Sequence, residues 1–211
     1  MKHYIIFILV LVSFNMFAQE FKLENGDLIF QEACPGNLEN SIKDVTRSID
    51  NHQFTHVGIA YIDNNDSIYV LEATRPQVVL SALPEYLYPK GRTCHPKSVV
   101  GRLKPEYKHL IPDALEIGFT LIGKDYDYGF VLDNDKYYCS ELVYEILRQA
   151  NGWKDVFPLN IMTFKSNTTG ETTQGWIDYF DHLGLPIPEG EPGINPGAMS
   201  QSDVIDIIHI F

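Results

Sequence analysis

Residues 55–73 read THVGIAYIDNNDSIYVLEA, two β-rich runs parted by four residues that favour turns and tolerate left-handed backbone. Residues 55–62 and 68–73 therefore read as the arms of a β-hairpin, with Asp63-Asn64-Asn65-Asp66 as the connection. In the first arm Val57, Ile59 and Tyr61 alternate with Gly58, Ala60 and Ile62, which is the two-residue period of a strand. Two polar side chains interrupt this apolar text. His56 opens the first arm and Glu72 lies near the end of the second, and a turn at Asn64-Asn65 brings them close to mutual register. A carboxylate in an apolar strand has a reason to be paired, and an imidazole held by a carboxylate is fixed in one tautomer and stabilised as imidazolium. The opposing reading makes His56 a hydrogen-bonded edge histidine and Glu72 a solvent-facing strand residue; spacing alone does not separate the two.

Working outward, Gly26-Asp27 reads as a turn feeding a buried strand at Leu28-Ile29-Phe30. Residues 33–53 are mixed and polar, with a loop at Pro35-Gly36-Asn37 and a short helix expected over 42–49; the segment forms a lid or a wall. Further strands are expected at 78–80 and 98–103, with a helical turn at 83–87. Residues 106–122 carry apolar side chains at helical spacing up to Gly123, with Pro112 marking either a kink or the true start. The clearest helix is residues 140–150, SELVYEILRQA, apolar at Leu142, Val143, Ile146, Leu147 and Ala150 and stopped by Asn151-Gly152. Cys139 sits at its amino end. Unpaired backbone N–H groups and the positive end of the macrodipole favour thiolate there and can also stabilise an oxyanion. Equally, a cysteine at a helix start is often a small buried hydrophobe. Beyond Trp153 the text is irregular, so residues 153–211 read as a wrapping tail with a short helix around Trp176, Tyr179 and Phe180 and a last strand over 204–211. Hairpins and separate helices make the class α+β, an antiparallel sheet packed against the helix that carries Cys139.

The chain has 211 residues, enough for one domain with a core that needs no staples. Residues 1–18 have a signal-peptide layout: Lys2, an apolar run over 4–14, then Ala18 before polar text. The run is well short of the ~20 residues of a membrane span. Export to the periplasm or beyond is expected, with residues 19–211 as the mature domain. Formal charge is −12 from 16 basic and 28 acidic side chains, and loss of Lys2 with the leader takes it to −13. Such a surface repels phosphate backbones, so nucleic acid is not an expected partner. The three cysteines, Cys34, Cys94 and Cys139, leave at least one thiol unpaired within the chain, and a Cys34–Cys94 bridge stays open. With no C-x-x-C pair and no tight Cys/His cluster, no metal or other cofactor is expected.

Five segments in order carry a more specific signal: Gly26-Asp27-Leu28-Ile29-Phe30, Thr55-His56-Val57-Gly58-Ile59-Ala60, Leu71-Glu72-Ala73, Gly123-Lys124-Asp125-Tyr126-Asp127 and Tyr137-Tyr138-Cys139-Ser140-Glu141-Leu142-Val143. Together they resemble the permuted NlpC-like cysteine hydrolases of the YiiX/YebB type, in which histidine precedes cysteine along the chain. The resemblance implies a circularly permuted papain-like fold, with Cys139 as nucleophile, His56 as base and Glu72 as the third polar residue. It makes Tyr126 a candidate oxyanion or substrate contact and Asp27 a structural or site-lining residue. The implied substrate is a peptide or acyl amide, with peptidoglycan peptides the natural choice for an exported protein. The alternatives are a lipid-directed amidase, esterase or acyltransferase on the same fold, or a binding module without turnover.

Overall fold

The computed structural model describes residues 21–91 and 93–211. The expected leader, residues 1–18, lies outside the described residues. The expected hairpin forms β2 (His56–Ile62) and β3 (Ile68–Ala73), paired antiparallel with Ile59 opposite Leu71 and Ile62 opposite Ile68. The Asp63 carboxylate accepts the N–H groups of Asn65 and Ser67, both at 2.8 Å, so the connection's own side chain fixes the turn. On one side β3 continues to β4 (Val78–Ala82); on the other β2 pairs with β1 (Leu28–Glu32), which pairs with β5 (Lys97–Leu103), which pairs with β8 (Ile205–Ile210). The result is a six-stranded antiparallel sheet in the order β4-β3-β2-β1-β5-β8.

Alternation along the strands builds two apolar faces. Val57, Ile59 and Leu71 join the larger cluster with α3 (Ile111–Thr120) and α4 (Cys139–Ala150), while Ile29, Ala60 and Val70 pack with Tyr86 and Leu87 of the short α2 (Leu83–Leu87). Leu142, Val143, Ile146 and Leu147 of α4 are fully buried, each contributing about 1.5–3 kcal/mol by leaving water. Gly118 allows α3 to press close, since a Cβ there would lie 2.4 Å from Leu71 Cδ2 and 3.5 Å from Ile146 Cδ1.

Several expected boundaries move. The helix expected over 42–49 is α1 (Asn37–Val45): it ends where Thr46 returns its N–H and its hydroxyl to the Ile42 carbonyl, and Asp50 and Asn51 then take left-handed backbone (φ 52° and 61°). The helix expected over 106–122 begins at Ile111, so Pro112 sits in its first turn, where no N–H is needed. The tail contains, besides α5 (Gln174–Leu183), a small pairing of β6 (Asn160–Ile161) with β7 (Pro192–Gly193) and a helix α6 (Pro196–Ser200) that the sequence did not announce. Helix α5 packs on α1, and the Trp176 indole N–H donates to the Ser41 carbonyl at 3.2 Å. Cys34 and Cys94 form a disulfide with Cα atoms 6.0 Å apart.

Candidate active site

The strand register decides how His56 and Glu72 meet. Continuing the pairing of Ile59 with Leu71 puts Gly58 opposite Glu72, so His56 is the diagonal neighbour of Glu72 on the same sheet face. Gly58 has no side chain to stand between them. A Cβ built there would lie 2.4 Å from Val70 Cγ1, 3.2 Å from the Leu71 carbonyl oxygen and 3.3 Å from Glu72 Cβ. Across this gap His56 Nε2 lies 2.6 Å from Glu72 Oε2, donating to it, and the Ser81 hydroxyl donates to Glu72 Oε1 at 2.6 Å. Ser81 reaches Glu72 by the same diagonal logic, because Val79 of β4 is the residue directly opposite Glu72. Glu72 is therefore held at both oxygens while buried, as a buried carboxylate must be.

With Nε2 committed to Glu72, Nδ1 is the nitrogen left for Cys139, which lies close enough to act on the ring. Burial works to lower the pKa of His56; the hydrogen bonds and negative charges of Cys139 and Glu72 overcome it and raise the ring to about 10. The site is thus built to keep His56 as imidazolium at neutral pH. The Tyr86 ring packs beside the imidazole at 5.8 Å between centroids, and its hydroxyl donates to the Ile29 carbonyl at 2.7 Å.

Cys139 is the first residue of α4, buried, and clamped on both sides by the tail. The Ile194 N–H donates to the Tyr138 hydroxyl at 3.2 Å, and the Ser140 hydroxyl donates to the Ile194 carbonyl at 2.9 Å. Glu141 accepts the Tyr138 N–H at 3.2 Å; burial above all pushes its carboxyl up to about 9, so it places no full negative charge behind the thiol at neutral pH.

Tyr126 is brought beside Cys139 by backbone pairing. Its own N–H bonds Pro76 O at 2.8 Å, and the N–H of Asp127 bonds Tyr137 O at 3.1 Å. Burial and then the negative charge of Cys139 hold its phenol well above the ordinary range, so it is a proton donor at any working pH. Asp27, expected to be structural or site-lining, takes the structural role. It is 1% exposed, and its two oxygens take Arg102 Nε and Nη2, each at 2.7 Å, at the base of β1. That bidentate pair uses up the carboxylate for structure.

Two spaces adjoin the pair. A cleft of about 430 Å³ is lined by His56, Glu72, Tyr86, Arg75 and Tyr126, with Leu38 and Ile42 of α1 as its wall. A recess of about 50 Å³ beside Cys139 is apolar, lined by Phe130, Met162, Phe164 and Trp176, and shares Ile42, Thr55 and Tyr126 with the cleft. Leu38 and Ile42 of the segment 33–53 thus line the cleft. Sequence reasoning did not find Ser81, Tyr86 or Arg75; for Ser81 the signal was one polar residue in the strand VVLSA.

Comparison with known proteins agrees with this architecture. The model of a family described as "Permuted papain-like amidase enzyme, YaeF/YiiX, C92 family" matches residues 22–209. The YiiX protein of Escherichia coli (strain K12) is 28% identical over 156 residues, 73% of this chain and 71% of that protein. The crystal structure titled as metalloprotein yiiX from Escherichia coli O157:H7 superposes with a TM-score of 0.71 at 21% identity, covering 90% of this chain and 98% of that one, a likeness of fold.

Proposed function

This chain belongs to the permuted papain-like amidases of the C92 family, which makes it a cysteine hydrolase of the amidase or peptidase type, and from that premise we propose that Cys139 is its nucleophile, His56 its acid and base, and Glu72 the residue that orients His56. The observation that carries the reading is the pair of 2.6 Å hydrogen bonds running from Ser81 through Glu72 to His56, with Cys139 close enough to the ring to act on its charge. An imidazolium beside the sulfur and a helix amino terminus beneath it both stabilise negative charge at the reacting centre. The thiolate attacks an amide carbonyl, and the oxyanion meets the first N–H groups of α4 and the Tyr126 hydroxyl. Collapse breaks the C–N bond as His56 gives its proton to the leaving amine, leaving a thioester. Water then attacks that thioester, His56 takes up its proton, and the carboxylic acid leaves.

The substrate in this reading is a compact amide, with cell-wall peptides the natural candidates for an exported enzyme. The disulfide supports an oxidising compartment. The apolar recess of about 50 Å³ is a third of the roughly 150 Å³ cavity that admits benzene, which favours a small group at the thiol over a long acyl chain. The neighbour's title calls that protein a metalloprotein; among the described residues here no three His, Cys, Asp or Glu side chains converge to hold a metal ion, so no step is assigned to one. Likewise, among the described residues no helix is long and apolar enough to cross a membrane.

The test is incubation with purified peptidoglycan fragments and a panel of N-acyl amides, with wild type against Cys139→Ala. Wild type should release amines, and Cys139→Ala should lose at least about a thousandfold in rate while keeping its thermal midpoint. Turnover retained by a folded Cys139→Ala would refute the assignment.

A further inference from the structure

Arg75 stands three residues beyond Glu72, exposed, with its guanidinium carbon 5.8, 5.9 and 6.0 Å from the ring centroids of Tyr126, Tyr128 and Tyr179. This aromatic cradle is itself fixed, because the Tyr179 hydroxyl donates to the Tyr128 carbonyl at 3.0 Å. Among the described residues Arg75 makes no hydrogen bond and no ion pair. Two other arginines are spent, Arg102 on Asp27 and Glu24 and Arg148 on Glu145 and Asp155. Carboxylates are not scarce around it, in a chain of charge −12 whose cleft is also lined by Glu39 and Glu85. Yet the Glu39 carboxylate folds back against Gly36, and Glu85 pairs with Lys90 at 3.2 Å. Stacking on aromatic faces holds a guanidinium in place without consuming its five N–H donors. Arg75 is thus positioned but unspent.

Its place gives that fork a use. Arg75 lines the cleft that holds His56 and Glu72, and it also lines an adjoining groove of about 780 Å³ beside α5. Tyr126, against which it packs, lines the recess of Cys139 as well, so one side chain separates the guanidinium from the thiol's surroundings. We infer that Arg75 anchors a carboxylate of the substrate, so that the amide cleaved belongs to a small peptide or acyl compound carrying a negative charge a few bonds from the scissile carbonyl. A planar carboxylate matches the bidentate guanidinium fork. The inference rests on the proposed reaction at Cys139 and deepens it by naming the charge of the substrate.

The test uses two thiol reagents that differ only in charge, N-iodoacetylglycylglycine and its neutral C-terminal amide, with the rate of Cys139 alkylation followed by mass spectrometry. The ratio of the two rates cancels any change in the thiol itself. Wild type should react about fivefold faster with the carboxylate reagent, the size expected of a half-open ion pair, and the preference should shrink with added salt. In Arg75→Gln the ratio should fall to about one, and Arg75→Lys should restore only part of it, because a point charge lacks the planar fork. Fast labelling with no preference, or a preference that survives in Arg75→Gln, overturns the anion site and leaves the nucleophile standing. Slow labelling of wild-type Cys139 by both reagents overturns the nucleophile, and the anion anchor that rests on it falls too.

Discussion

Replacing Glu72 by Gln isolates charge from shape at the centre of the site. Glu72 makes two short bonds, 2.6 Å to His56 Nε2 and 2.6 Å from the Ser81 hydroxyl. A Gln of the same length can accept from His56 through its amide oxygen and donate to the Ser81 oxygen, so both contacts survive as neutral ones. What is lost is the carboxylate opposite an imidazolium. A charge-assisted hydrogen bond is roughly twice as strong as a neutral one, and here the charge also supports the protonated ring against burial. The loss should be about 1.4 to 4 kcal/mol of transition-state stabilisation, a fall of about ten- to a thousandfold in turnover. The pH dependence carries a second signature. His56 is raised from 6.5 to about 10, so the stability it contributes is fully present below the lower value and lost as pH rises through the higher one. Removing the Glu72 charge brings the upper value down, and both the alkaline limb of kcat/KM and the alkaline fall of the thermal midpoint should move to lower pH. The assay is turnover and thermal midpoint from pH 6 to 11 for wild type and Glu72→Gln. Unchanged turnover with an unmoved alkaline limb would show that Glu72 does not orient His56, leaving a dyad of Cys139 and His56.

Gly58→Ala should damage the site without touching a reacting group, because its Cβ would lie 2.4 Å from Val70 Cγ1 and 3.3 Å from Glu72 Cβ. The thermal midpoint should drop with a cost of about 1–3 kcal/mol, and turnover of the folded fraction should fall as Glu72 is displaced. Replacing both Cys34 and Cys94 by Ser opens a loop of 60 residues and should cost about 4 kcal/mol by chain entropy. Turnover measured below the lowered midpoint should stay within a few-fold of wild type, and its abolition in a folded Cys34→Ser protein would mean the nucleophile is misassigned.

The parts of this molecule that were legible in the sequence are those where local pattern and tertiary role coincide. The arms of the hairpin alternate because one face of β2 and β3 lies under α4, and α4 itself shows four fully buried residues at helical spacing. His56 and Glu72 stood out because each is polar within an apolar strand. The resemblance to a permuted family added the order of the five segments and pointed to Tyr126, which lines both the cleft and the recess. Arg75 was invisible because its meaning depends on three tyrosines drawn from residues 126, 128 and 179, which no window of sequence brings together. The end of α1 was misplaced because an apolar count over 42–49 does not register that Thr46 closes the helix on the Ile42 carbonyl with both its N–H and its hydroxyl. Asp27 stayed open between two roles for a related reason: a Gly-Asp pair before a strand looks the same whether its carboxylate lines the site or, as here, holds Arg102, which is 75 residues away.

Permutation of the chain leaves the chemistry intact because the site is defined by where three pieces of structure meet, and none of them depends on which comes first. The sheet contributes an imidazole and a carboxylate by a diagonal step across Gly58. The helix contributes a thiol at its positive end. Burial of Leu142, Val143, Ile146 and Leu147 seats α4 against the sheet. The tail adds a polar tie at the amino end: Ile194 bonds both Tyr138 and Ser140, one residue to each side of Cys139, across 56 and 54 positions of sequence. These two bonds are buried, so breaking them leaves unsatisfied polar groups at about 1–3 kcal/mol each. A segment that reads as irregular text therefore helps to hold Cys139 in place, through a residue more than fifty positions beyond the cysteine.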